Sequence, residues 1–462
     1  MRKLLVFLLV FSVLFISGSI TLDPDFGWHL KMGQLIKAGG IPKTDPFSYT
    51  MPSYPEIDHE WLSDVVIASL YPKVGIEGLT AFFAAIAALS IAIVSFSKKY
   101  WLAPVILATS IFWSPMGIRP LIFTWFFFAI LTRFLFDKKM WDKWRFTLPF
   151  LFVVWANLHG GFAIGIGTLV LFLAIKVIKT KTLNFKDIAL FAMCLLATLV
   201  NPYGVRLWHE VFMTMWDFGF NWHFYISEWE PTIGNPDSSL VILICIISVI
   251  TFVYRKSLEV WQIIFFVFLA LLSLSAKRQP PLFAIFSIPF FSVCFSQFYK
   301  NTLRIPKATT RLEKTYKILV IICLAPLVFF ISEGVKSISM HKGIESTYPT
   351  NAVVFLQKNP FSGNLFSHYN WGGYLIWKLP QKKVFIDGRM PSWSFNAPRN
   401  ESPNAFKEYL SIIQGREFQN AAIKYSIKRV LIPKDRDLEK IIEKAGFKKI
   451  FEDKISIIYL KT

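Results

Sequence analysis

The stretch Arg2–Gly33, "RKLLVFLLVFSVLFISGSITLDPDFGWHLKMG", runs without a break from an apolar segment into two acids that flank a proline, Asp23 and Asp25, and then into Trp28, His29 and Lys31. Its first half sets the fold class, because segments like it recur along the chain. The 462 residues are 54% apolar and 17% aromatic, and runs of about 15 to 20 nearly uncharged residues repeat, close to the length a helix needs to cross hydrocarbon. They predict helices at 3–20, 76–97, 101–114, 119–136, 146–158, 161–178, 187–200, 239–254, 258–275, 281–298 and 317–333. The chain therefore reads as a polytopic α-helical membrane protein with about eleven spans.

A formal charge of +20 raises the possibility of a nucleic-acid partner, but that needs basic residues gathered on one soluble face or arm, and here they punctuate hydrophobic runs. Membrane topology accounts for them. With a cytoplasmic N-terminus, the inner connections are "SKKYW", "DKKMWDKWR", "KVIKTKTLNFK", "YRKS" and "YKNTLRIPKATTRLEKTYK", and the inner segments hold 20 basic and 5 acidic residues. The outer segments before residue 343 hold 10 basic and 14 acidic residues. This is the asymmetry of the positive-inside rule. It implies a cytoplasmic (inner) membrane protein whose C-terminal segment lies outside. The first segment also has the basic start, apolar middle and small-residue end of a cleavable signal peptide, and cleaved or retained it delivers Thr21 to the outer side. Cys194, Cys245, Cys294 and Cys323 all lie in apolar runs with no metal-ligand spacing, which suits packing residues better than a disulfide or zinc framework.

On this topology every motif-like segment, and all seven histidines, fall outside. Long outer loops collect polar residues whatever their function. Length does not explain the short connections "SPMGIRPL", "NLHGG" and "AKRQPP", which carry Arg119, His159, Lys277 and Arg278. Cations on the side that topology leaves poor in them call for an anionic partner. For Asn157 and His159, helix-end capping and substrate contact weigh equally. "NPYGVRLW" reads first as a turn that aims Arg206 along the outer surface, and the tryptophans from Trp208 to Trp229 read mostly as interfacial anchors.

The first outer loop, 21–75, is the acidic one. Pro24 bars helix at Asp23, so a helix starts near Asp25, with Phe26, Leu30, Gly33 and Ile36 at helical spacing and "KAGG" as its stop. This puts Asp25 at the N-cap, a common structural use of aspartate. The loop adds Asp45, Asp58, His59, Glu60 and Trp61 before an amphipathic segment, Leu62 to Tyr71, that is too short to span and suits the interface. Such a wall fits transfer from an anionic lipid donor to a hydroxyl. One carboxylate takes the acceptor's proton, and Arg119, Arg206, Lys277 and Arg278 are candidates for the leaving phosphate. Asp23, Asp25, His59 and Glu60 form a candidate divalent-cation set. Oxygen ligands suit magnesium or manganese, and a mixed set admits zinc, although no ligand spacing backs it.

From Gly343 onward the composition changes, and 343–462 reads as a soluble α/β domain beside a transmembrane domain of 1–342. Helix-like "NAVVFLQKN", "NAFKEYLSIIQ", "FQNAAIKYSI" and "DLEKIIEKAG" alternate with strand-like "NLFSHY", "KVFIDG", "RVLIPK" and "ISIIYLK". "YNWGGYLIW" and "DGRM" fall at strand edges or loops, where Asp387 and Arg389 either meet an acceptor or, the simpler account, pair with each other or with loops of the domain. No phosphate-cradling glycine motif is present, which argues against a nucleotide-sugar donor.

Taken together, "DPDFGWHL…GGIPKTDPFSYT…DHEWL", "WANLHGGF", "VNPYGVRLW", "SEWEP" and "YNWGGYLIW…KVFIDGR" resemble the membrane-embedded C-type glycosyltransferases, most closely bacterial relatives of the protein mannosyltransferase and aminoarabinose transferase group. The resemblance implies a polyprenyl-phosphate-linked sugar as donor within the membrane lipid, and transfer to a hydroxyl of a cell-envelope glycan, lipid or protein on the outer face. It also implies a catalytic aspartate in the first outer loop: Asp25, with Asp23 as second choice. Trp28, His29, His59, Glu60, Arg119, His159, Arg206, Lys277 and Arg278 become candidate substrate-binding residues. Members of that group often carry His-Pro-Pro near the end of the loop, whereas here His59 precedes Glu60 and Trp61, which sets the role of this pair apart. The rival class, a transporter or lipid flippase, predicts internal repeats and charges at mid-membrane, and the polar motifs here collect at one face instead.

Overall fold

The computed structural model describes residues 2–95, 101–182, 184–215, 226–234, 238–255, 258–302, 306–339, 343–390 and 401–462. In chain order its helices are α1 (Arg2–Gly18), α2 (Phe26–Gly39), α3 (Trp61–Ser95), α4 (Leu102–Trp113), α5 (Leu121–Phe136), α6 (Lys138–Trp144), α7 (Leu148–Leu158), α8 (Phe162–Thr180), α9 (Phe185–Ala197) and α10 (Val205–Met215). They continue as α11 (Ser238–Tyr254), α12 (Val260–Ser275), α13 (Pro280–Thr302) and α14 (Pro306–Ser339). The rest of the chain contributes α15 (Ile344–Thr347), α16 (Thr350–Lys358), β1 (Asn364–Ser367), α17 (Gly372–Lys378), α18 (Ala405–Ile413), α19 (Phe418–Lys424), β2 (Ile427–Pro433), α20 (Arg436–Lys444), β3 (Phe447–Glu452) and β4 (Ser456–Lys461).

Each of the eleven apolar runs contains a helix. By length and composition, three stretches among the described residues can cross a membrane unaided: Trp61–Ser95, Phe162–Thr180 and Tyr316–Lys336. Several others are shorter. At 12 residues, α4 is about 18 Å long, less than the hydrocarbon thickness of about 30 Å.

The chain divides into two compact units. The first, Met1–Ser19, Thr80–Gly204 and Phe220–Lys336, is a helical bundle in which α13 packs on α4, α5, α11 and α12. Several of its helices carry apolar side chains on exposed as well as buried faces, among them Phe150, Ile178, Phe252 and Leu271. Aromatic stacking fills the interior: Phe127 and Phe152 stack on Trp155 with centroids 5.7 and 5.6 Å away, and Phe112 lies 4.5 Å from Trp125.

The second unit comprises Ile20–Leu79, Val205–Gly219 and Ser337–Thr462. Composition divides the chain at residue 343, but contacts place the first outer loop with the C-terminal region, because the loop spends its polar backbone and side-chain groups there. Tyr348 Oη donates to the Leu22 carbonyl (2.8 Å), Thr50 Oγ1 to the Phe385 carbonyl (2.8 Å) and Tyr49 Oη to the Leu365 carbonyl (3.0 Å). The sheet runs β1-β2-β4-β3, with β1 parallel to β2 and the remaining pairs antiparallel.

Three details of this unit differ from the sequence reading. "KVFIDG" stays out of the sheet, because Val384 pairs with the loop: its N–H donates to the Phe47 carbonyl (2.9 Å), and its carbonyl accepts from Tyr49 N–H (3.1 Å). Periodicity marks such a strand without choosing its partner. "FKKIFE" forms β3, an edge strand whose two lysines point outward, and lysines of that kind blunt an edge. "YNWGGYLIW" contains helix α17 rather than a loop. Its glycine pair acts through close approach: a Cβ on Gly27 of α2 would come 2.6 Å from the Gly373 carbonyl carbon, and a Cβ on Gly373 would come 3.3 Å from that of Pro24.

Helix α2 forms where expected and stops at Gly40, whose φ of 90° suits glycine. Within α3, Gly75 (φ 65°, ψ −166°) breaks the helix. This backbone region is open essentially to glycine alone, and the break separates the amphipathic segment 61–74 from the apolar 76–95.

Gly27→Ala is expected to lower the stability of the second unit by about 1–3 kcal/mol through overpacking of α2 on α17. Thermal unfolding of the detergent-solubilised chain, followed by intrinsic fluorescence, measures it.

Candidate active site

The sequence "DPDF" folds into a turn closed by its own first acid. Asp23 Oδ1 accepts the Asp25 N–H at 2.8 Å and the Asp23 carbonyl accepts from Phe26 N–H, which leaves Asp23 buried. Asp25 occupies the residue before α2 but does not cap it with its side chain: its backbone is already helical (φ −88°, ψ −13°), and Asp23 takes over the turn hydrogen bond. The Asp25 carboxylate is half-buried and lies against Gly388, where an added Cβ would fall 2.7 Å from Asp25 Cγ.

Around this turn the loop concentrates carboxylates on one cation. Arg389 donates to both oxygens of Asp387 (Nε to Oδ1 2.8 Å, Nη2 to Oδ2 2.7 Å), to Asp45 Oδ1 (2.9 Å) and to Glu56 Oε2 (3.1 Å). It is 9% exposed, and its guanidinium lies 4.9 Å from the Phe47 ring centre. Asp45 is itself fixed by the N–H groups of Phe47 and Ser48. One guanidinium does not balance three buried carboxylates. Burial pushes Glu56 up to about 8 against the opposing pull of Arg389, so Glu56 keeps its proton at neutral pH. Burial also raises Asp58 to about 6, opposed by the hydrogen bond from the Glu60 N–H.

A second group runs along α2 and the start of α3. His29, 3% exposed, places Nδ1 2.6 Å from Asp64 Oδ1 and Nε2 3.6 Å from Glu60 Oε2. Glu60 Oε1 in turn lies 3.6 Å from His59 Nε2, so carboxylates and imidazoles alternate from fully buried Asp64 to the partly exposed His59. The Trp28 ring lies tilted by 33° against His29 with centroids 3.6 Å apart and is itself buried. The proposed metal set, Asp23, Asp25, His59 and Glu60, is not gathered by the fold: among the described residues no three His, Cys, Asp or Glu side chains are arranged to hold an ion. Arg206 is exposed on α10.

The remaining candidates belong to the helical unit. Arg119 pairs with Glu228 (2.6 Å) and Lys277 with Glu230, while the guanidinium of Arg278 lies 3.8 Å from the Trp229 ring centre. Arg119, with Arg278 adding to it, holds the Glu228 carboxyl below its usual range. The cations that topology singled out thus converge on "SEWE". Trp216 and Trp222, from the same outer segment, lie outside the described residues. His159 Nδ1 accepts the Gly161 N–H (2.8 Å) and lies 2.7 Å from Thr124 Oγ1, which also receives the Trp155 Nε1–H. Asn157 donates to the Val153 and Val200 carbonyls. These bonds hold the turn between α7 and α8.

Sequence reading passed over Glu56, Asp64 and Gly388. Asp64 sits four residues after Glu60, the helical spacing that carries both toward one neighbour. Gly388 stands between an acid and a base in "DGR", which marked the turn but not what it holds.

The fold is similar to a solved one. The solved structure of the Archaeoglobus fulgidus oligosaccharyltransferase, tethered with an acceptor peptide, is similar over 99% of this chain and 74% of that chain, with a TM-score of 0.57 and 12% identity. At that identity the likeness shows the fold alone. The chain matches no protein-family model and no curated protein.

Arg389→Met would strand three buried carboxylates and is expected to cost about 3–5 kcal/mol, read as a lower unfolding temperature. Glu56 also predicts a pH dependence. Folded, it holds its proton to about pH 8, while its ordinary value is 4.5. The folded state therefore binds more protons across that window, and stability falls as pH rises through it. Unfolding scans across that range should show this fall, and Glu56→Gln, which cannot ionise, should flatten it.

Proposed function

We propose that this chain is an integral-membrane glycosyltransferase that moves a sugar from a polyprenyl-phosphate donor to a hydroxyl of a cell-envelope glycan, lipid or protein, at the outer face of the cytoplasmic membrane. The observation that carries the reading is Asp25. It is a half-buried carboxylate at the head of α2, in an acid-rich loop whose Asp45 and Glu56 are held, together with Asp387, by Arg389, and the chain shares its fold with an oligosaccharyltransferase.

In the proposed step the acceptor oxygen attacks the anomeric carbon as Asp25 takes its proton, the bond from that carbon to the phosphate oxygen breaks, and polyprenyl phosphate leaves, with inversion at carbon. Arg206, exposed on α10, is proposed as a ligand for the donor's anionic headgroup. The eleven helices are proposed to orient the chain with its N-terminus inside and the α/β region outside, as the charge asymmetry requires.

A strain lacking the protein is expected to accumulate a polyprenyl-phosphate sugar and to lose a surface glycan modification, both read by mass spectrometry. Wild-type protein should restore the modification, and Asp25→Asn should not, while inserting and unfolding like wild type. Full restoration by Asp25→Asn would remove Asp25 as the base.

A further inference from the structure

The turn Asp387–Gly388–Arg389 touches the loop 21–75 through Gly388 and Arg389. Arg389 holds Asp45 and Glu56, and Asp387 in turn holds Arg389. Between them, Gly388 faces the Asp25 carboxylate. Gly388 is not among the glycines with positive φ, so its backbone conformation is open to any residue. What the position requires is the absence of a Cβ, because that volume is filled by Asp25. Helix α17 braces the same arrangement: a Cβ on its Gly372 would come 2.9 Å from Asp387 Cα, and its Gly373 packs on the Pro24 carbonyl next to Asp25.

We propose that the Asp387–Gly388–Arg389 turn is a positioning element for Asp25: Arg389 anchors the loop through Asp45 and Glu56, and Gly388, lacking a Cβ, leaves the space that the carboxylate occupies. This rests on the reading of Asp25 as the base. The α/β region would then do more than bind an acceptor; it would complete the geometry of the catalytic loop. Positioning of this kind matters steeply, since a displacement of about 1 Å can cost about 100-fold in rate.

The test uses the full chain in vesicles of phosphatidylethanolamine and phosphatidylglycerol, with a panel of undecaprenyl-phosphate hexoses and pentoses as donors and envelope extract as acceptor, following release of undecaprenyl phosphate. Gly388→Ala is expected to lower kcat about 100-fold with the donor KM unchanged, the pattern of a misplaced group rather than lost binding. Gly388→Ala should also lower the unfolding temperature in the wild-type background but not with Asp25→Ala, where the added methyl has room. If Gly388→Ala fails to fold alone, the double variant should fold.

Wild-type turnover by Gly388→Ala, alongside an inactive Asp25→Asn, overturns the positioning role and leaves the proposed function standing. Equal destabilisation by Gly388→Ala in both backgrounds, or a double variant that also fails to fold, overturns it as well. Turnover by Asp25→Asn removes the base assignment and this inference together.

Discussion

The second unit depends on one buried cation. Arg389 sits among Asp387, Asp45 and Glu56, and two of these three partners come from the first outer loop, more than 330 residues earlier in the chain. Removing a guanidinium from water is costly, and it is tolerated only when its donors are satisfied in good geometry. The carboxylates around it are equally dependent, since each would be stranded without Arg389. The mutual need makes the loop and the "DGR" turn fold as one body. The excess of acid over base is relieved by Glu56 retaining its proton, so the network is sensitive to pH as well as to mutation.

Around that centre, glycines set how closely backbones approach. Gly27 and Gly373 bring α2 against α17, and Gly388 brings the turn against Asp25. Where a sheet or bundle is usually joined by interdigitating side chains, Gly27 and Gly373 let main chain meet main chain between α2 and α17, while Gly388 leaves room for the Asp25 side chain. Its neighbour Asp23 closes the turn hydrogen bond, which leaves the Asp25 carboxylate pointing to Gly388 instead of back onto the helix.

Much of the fold was legible in the sequence because its cause is local. An apolar run forms a helix wherever it sits, so all eleven runs contain one, and Pro24 and the "KAGG" stop bounded α2. Gly75 broke α3 at the expected junction because its backbone region admits almost nothing else. The site was legible only in part. Acid enrichment drew the eye to the first loop, yet whether an acid is a base, a turn former or a ligand of Arg389 depends on partners that composition does not name.

Sequence by itself determined the class of the chain: repeated apolar runs, charge asymmetry between connections, and a C-terminal region with alternating helix and strand patterns. These follow from transfer free energies and local periodicity, which each residue carries with it. Only the tertiary structure decided that the first outer loop belongs with the C-terminal region, that "KVFIDG" pairs with Phe47–Tyr49 rather than with the sheet, and that Gly388 faces Asp25. Those are choices among distant partners of similar local character, settled by which buried charges could be satisfied and which backbones could come close enough.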